Sequence, residues 1–179
     1  MNSNPAFPSS YEYIHYTAAD IETLDLNRTY LQTAENLLFH TPNGLWLSIC
    51  GINDWEIYSL NNNDNLDNLK YEFQVKLKPH AQILMLYNNV VFEDFEKTYA
   101  YYPKGIEMHD EEYTLDLSIK WQDIINDYQG IALPNIIPKL YNMGLWFDTW
   151  CCTSACIWDL QAVEKVEKLT YIYNEYIEN

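Results

Sequence analysis

Apolar and polar residues alternate most clearly over 70–78, where Tyr71, Phe73, Val75 and Leu77 share one side and Lys70, Glu72, Gln74, Lys76 and Lys78 the other. Side chains of a strand point alternately to its two faces, so this stretch reads as a strand with one wet face, ended by Pro79. Two runs rich in Trp, Ile and Tyr, at 11–17 and 44–50, also read as strands. The turn chemistry of Pro42-Asn43-Gly44 starts the second of them. Shorter apolar runs at 82–87, 130–133, 145–147 and 154–158 complete the expected strands, and Pro134 closes the one before it.

Helical spacing appears in four places. Asp54 can cap a short helix carrying Trp55, Tyr58 and Leu60, because its carboxylate accepts from the orphan N–H groups of a first turn. Val91, Phe95 and Tyr99 recur every fourth residue over 90–99, and Trp121, Ile124, Ile125 and Tyr128 form one stripe over 121–128. Val163, Val166, Thr170, Tyr173 and Ile177 predict a C-terminal helix over 159–177, capped by Asp159. Residues 30–38 are weakly helical, and 61–68 and 101–116 are polar connections. Strands outnumber helices without a regular βαβ repeat, and no GxGxxG or Walker pattern follows a strand. The expectation is a single α+β domain over 11–179, behind a loose lead-in at 1–10. Its sheets should be mostly antiparallel and partly split.

The totals narrow this picture. A chain of 179 residues suits one domain with a real core, and 48% hydrophobic with 16% aromatic residues excludes a disordered chain. A net charge of −16, with 10 Lys and Arg, argues against a phosphate-binding surface and so against nucleic-acid binding. The same acidity would suit solubility or a basic protein partner. Cys50, Cys151, Cys152 and Cys156 contain no CxxC pair, and adjacent thiols are awkward ligands for one metal, so no metal is expected. The chain opens without a basic segment leading into an apolar run, and no run approaches membrane-span length. A cytoplasmic protein, in its own cell or a host's, with no membrane partner, is the corresponding expectation.

Candidate chemistry gathers near the second strand. Trp46 and Ser48 point the same way, and a ring beside a hydroxyl, with His15 nearby, suits a small planar ligand. Each has a plainer role: His15 as a strand histidine, Trp46 as core, Ser48 as a hydroxyl bonded to backbone, and Trp55 and Tyr58 as helix anchors. Cys151 has no basic neighbour to lower its pKa as a nucleophile, and His40, His80 and His109 stand in no partner pattern.

Several motifs in order carry a resemblance. His15-Tyr16-Thr17, Gly44-Leu45-Trp46-Leu47-Ser48 and Trp55 resemble the opening of a family of small phage and bacterial proteins. Ile119-Lys120-Trp121, Tyr128-Gln129-Gly130-Ile131, Trp146 and Ser154-Ala155-Cys156-Ile157-Trp158 resemble its later motifs, over roughly residues 13–159. That opening is similar in turn to the histidine-tyrosine-glutamate branch of the ADP-ribosyltransferase fold. The resemblance implies NAD as substrate, with His15 and Thr17 at the nicotinamide-side ribose, and Trp46, with Trp55 or Tyr58, beside the nicotinamide. Ser48 would support the site. The implied activity is transfer of ADP-ribose to a protein or nucleic-acid acceptor, a host protein among them, or hydrolysis of NAD.

The branch's catalytic carboxylate has no clear match. Gln129 and Ala132 stand in one motif where an acid is expected, and Cys151 follows Trp150 in the other. Asp148 is the candidate acid, with Asp159 the alternative. Weakened or absent transfer stays open beside them, as does a non-catalytic acidic protein that occupies a basic host partner.

Overall fold

The computed structural model describes residues 11–32, 41–51, 53–63, 66–101, 118–135, 147 and 150–169. Seven strands form one sheet: β1 (Tyr13–Thr17), β2 (Leu45–Ile49), β3 (Tyr71–Leu77), β4 (Ile83–Met85), β7 (Gly130–Leu133), β8 (Ser154–Ile157) and β9 (Val163–Lys168). Their order is β4-β7-β8-β2-β1-β3-β9, and β5 (Ala100–Tyr101) pairs with β6 (Ser118–Ile119) in a separate ribbon. Every pairing in the large sheet is antiparallel except β4 with β7. With α1 (Trp55–Asn62), α2 (Asn89–Tyr99) and α3 (Trp121–Ile124), the fold is α+β.

Strand alternation builds two cores. Trp46, Ile131, Leu133 and Cys156 face the side on which Phe92 and Phe95 of α2 and Trp121 of α3 pack. Leu45, Leu47, Ile49, Ala155 and Ile157 face the other, against Leu24, Leu26 and Leu160. Close strand approach needs two glycines. A Cβ on Gly44 would lie 2.6 Å from Cys156 Sγ, and one on Gly130 would lie 2.7 Å from Ile157 Cδ1, so β8 is hemmed in on both sides.

The sheet divides at its centre. β1 and β2 pair only where Tyr13 meets Ile49 and Ile14 meets Ser48. From there His15 to Thr17 run on against β3, while Leu47 back to Leu45 run on against β8. The two strands therefore part, leaving a seam.

Several expectations are corrected. The helix predicted over 159–177 is, within the described residues, a 3-10 turn at Leu160–Ala162 followed by β9. Its helical spacing is produced by a bulge: Val163 pairs with Leu77, Lys165 with Lys76 and Val166 with Val75. The extra residue lets two valines three apart face the same core. Residues 170–177 of that prediction lie outside the described residues. The helix at 121–128 is one turn long, although Trp121 and Ile124 are buried as its stripe requires. Glu72, expected on the wet face of β3, is 6% exposed. Within the polar connection of 61–68, α1 runs on to Asn62 and Leu66–Leu69 forms a 3-10 turn that buries Leu69. Residues 30–32 are irregular, and the rest of the weak helix at 33–38, the segment 102–117 and the strand residues Leu145 and Trp146 lie outside the described residues.

Candidate functional site

A cavity of about 430 Å³ opens in the seam, walled by His15, Tyr16 and Thr17 from β1 and by Trp46, Leu47 and Ser48 from β2. Its size falls within the range of small-molecule sites. Trp55, at the start of α1, also lines it. Five of the six predicted cofactor-binding residues thus meet at one place: His15, Thr17, Trp46, Ser48 and Trp55. Tyr58 does not reach the wall; it stacks on Trp55 with ring centroids 5.7 Å apart at 24°. Asp148 lies outside the described residues, as do His40 and His109. Asp159 is away from the cavity: its carboxylate accepts from Gln129 Nε2 at 2.9 Å and from the Gln161 N–H at 3.1 Å, which caps the 3-10 turn.

His15 reaches the seam against the parity of the strands. Ile14 is the residue that pairs with Ser48, so His15 belongs to the face opposite Trp46 and Ser48. Its ring turns into the gap, and Nδ1 donates to the Trp46 carbonyl at 2.8 Å. A carbonyl oxygen only accepts, so Nδ1 carries the proton and Nε2 of the neutral ring is an acceptor. Burial pushes the His15 pKa below its ordinary value and keeps the ring neutral, opposed in part by the bond to Trp46.

The parted strands also turn backbone groups toward the cavity. The Cys50 N–H donates to the Glu12 carbonyl and the Ile49 N–H to the Thr153 carbonyl, which fixes the sense in which β2 alternates. The N–H and C=O of Trp46 then face β1, and those of Tyr16, two residues past Ile14, face β2. His15 takes the Trp46 carbonyl. The Trp46 N–H and the Tyr16 N–H and C=O border the gap, a donor–acceptor set that suits a planar amide.

The aromatic walls are fixed from behind. Trp46 meets Trp150 edge to face at 4.8 Å. Trp150 is 3% exposed, and its Nε1 has no hydrogen-bond partner among the described residues. Trp55 is set by the start of α1: its N–H donates to Ser48 Oγ at 2.9 Å. Asp54 caps the helix as its sequence position implied, accepting from the Ile57 N–H and the Gly51 N–H at 3.0 Å each. Ser48 therefore fills its plain role, a hydroxyl bonded to backbone.

Among the described residues, charge sits beside the cavity rather than on its wall. Tyr16 donates to Glu56 at 3.4 Å and lies across the ladder from Glu72. Burial, then Glu56 and Glu72, raise the Tyr16 pKa well above its usual value. Burial, then Glu56, also raises the pKa of Glu72. Among the described residues no group of three His, Cys, Asp or Glu is placed to hold a metal ion. No described helix is long and apolar enough to cross a membrane.

Sequence reasoning missed Tyr16, Asn68 and the pair Cys151 and Cys152, all of which line the cavity. For the thiols the signal was their adjacency, which the sequence reading took up as metal ligation and, for Cys151, as a nucleophile, but not as part of this cavity. No protein-family profile, curated protein or solved structure matches the chain.

Proposed function

We propose that the seam binds NAD and that the chain transfers ADP-ribose to a protein or nucleic-acid acceptor, or hydrolyses NAD. The observation that carries this reading is the convergence of His15, Thr17, Trp46, Ser48 and Trp55 on one cavity between parted strands. Nicotinamide is flat and stacks on indole, for which Trp46 and Trp55 are available. Its carboxamide would bond the backbone groups of Tyr16 and Trp46 that border the gap, and a ribose hydroxyl would donate to His15 Nε2.

Cleavage of the glycosidic bond builds positive charge on the ribose, as in glycoside hydrolysis. A carboxylate that bonds a ribose hydroxyl would stabilise this charge. Asp148 keeps that role in the proposal, and Glu56, tied to the wall through Tyr16, is an alternative carboxylate. No step needs a metal.

The experiment is incubation of the full chain with NAD while nicotinamide is followed chromatographically. Release that Asp148→Asn abolishes and Glu56→Gln spares supports the proposal as written. Release that only Glu56→Gln abolishes moves the acid to Glu56. Binding without release leaves a nucleotide-binding protein without transfer. Absence of binding as well as release favours the second reading, an acidic protein that occupies a basic host partner, for which the net charge of −16 speaks.

A further inference from the structure

Cys151 and Cys152 both line the cavity, Cys152 buried and Cys151 half-buried. Neither is in a disulfide. Consecutive in the chain and on the same cavity wall, the two thiols are held together; the Cys151 thiol first, and burial second, push the Cys152 thiol well above its usual pKa. The backbone that follows is fastened. Thr153 Oγ1 donates to the Ile49 carbonyl at 2.9 Å, the Thr153 N–H to the Asn53 carbonyl at 2.7 Å, and Ser154 Oγ to the Cys152 carbonyl at 3.1 Å.

Two outcomes are open to such a pair, and geometry decides between them. Adjacent Cα atoms stand about 3.8 Å apart across a trans peptide. A relaxed disulfide spans roughly 4.4–6.8 Å between Cα atoms. Closing the pair into a disulfide is therefore strained, and the anchored backbone resists the movement that would relieve it. A third atom between the sulfurs removes that conflict, because each sulfur then bonds the bridging atom rather than its neighbour. Soft thiolate ligands select soft centres.

We propose that Cys151 and Cys152 form a two-sulfur site for a soft, thiophilic trivalent centre of the organoarsenical class, held at the cavity wall. With a monosubstituted arsenic(III) oxide, two As–S bonds form and the As=O bond breaks. The two thiol protons leave on that oxygen as one water, and arsenic stays trivalent. No oxidant or reductant is consumed. The site is independent of NAD binding.

The test uses phenylarsine oxide on the reduced full chain, read by intact mass and thiol titration. The expected result is one arsenical per chain, with loss of two titratable thiols. It should withstand excess 2-mercaptoethanol and be released by 2,3-dimercaptopropanol. Cys151→Ser should lose this retention at least tenfold with its thermal melt unchanged, and Cys50→Ser should keep it. Retention in a folded Cys151→Ser variant would overturn the proposal. So would conversion of the wild-type pair to an intramolecular disulfide by equimolar oxidised glutathione, since the pair would then not persist as a dithiol. If Cys152→Ser fails to fold, the Cys151 comparison alone decides.

Discussion

The imidazole of His15 donates through Nδ1 to the backbone carbonyl of Trp46 at 2.8 Å, across a gap where the two strands carrying them no longer pair. A side chain here takes the place of a ladder hydrogen bond. It satisfies one carbonyl, fixes the tautomer and leaves neighbouring backbone groups facing a cavity. Closing the seam by ordinary pairing would remove the cavity, so the broken ladder is the site's main structural feature.

Burial of the same ring sets a pH dependence. Burial lowers the His15 pKa below 6.5, so the unfolded chain takes up a proton before the folded one does. Stability is then full above pH 6.5 and falls as pH drops through the folded value. Nδ1 stays protonated throughout, but Nε2 becomes a donor and can no longer accept. Ligand affinity should fall over the same acid window. Denaturant unfolding and ligand titration from pH 7.5 to 5 check both, and His15→Gln should flatten the two curves.

Glu72 acts in the opposite sense. Its folded pKa is raised, by burial first and Glu56 second, so the folded chain holds a proton that the unfolded chain has already lost. Stability therefore falls as pH rises from the unfolded value, 4.5, through the folded one. Glu72→Gln should be more stable than wild type at pH 7 and should lose that slope, as read by urea unfolding at a series of pH values.

Asp54 holds the first turn of α1 and, through it, Trp55. Asp54→Ala should cost about 1–2 kcal/mol of stability, the usual range for loss of an N-cap. It should also weaken ligand binding although Asp54 is not on the cavity wall. Chemical denaturation followed by titration of the still-folded variant separates the two effects.

Gly130→Ala should cost roughly 1–3 kcal/mol, the range for overpacking. Its Cβ would sit 2.7 Å from Ile157 Cδ1 and 2.8 Å from the Cys156 carbonyl oxygen. Gly51→Ala is the matched control, since a Cβ there meets nothing within 4 Å. Thermal melts of the two variants make the comparison.

Where the chain alternates cleanly its fold was legible: β3 and β7 lie where their patterns put them, and Asp54 caps the predicted helix. The C-terminal strand was not, because a bulge gives Val163 and Val166 the three-residue spacing of a helix. Glu72 reads as solvated from its alternation, and only the structure reveals its burial beside Tyr16 and Glu56. Five residues that line the cavity stand in short motifs of the sequence, but the route by which they meet was not readable there. Parity puts His15 on the wrong face, and it arrives only because β1 and β2 part, a property of strand pairing rather than of any residue.

The most direct measurement is a calorimetric titration of NAD into wild-type protein and into His15→Ala at pH 7.5. Saturable one-to-one binding to wild type is predicted, at least tenfold weaker in His15→Ala. The variant should also lose about 1 kcal/mol of stability with its missing hydrogen bond. No heat from wild type at millimolar NAD, or equal affinity in a folded His15→Ala variant, would contradict the seam as a nicotinamide site.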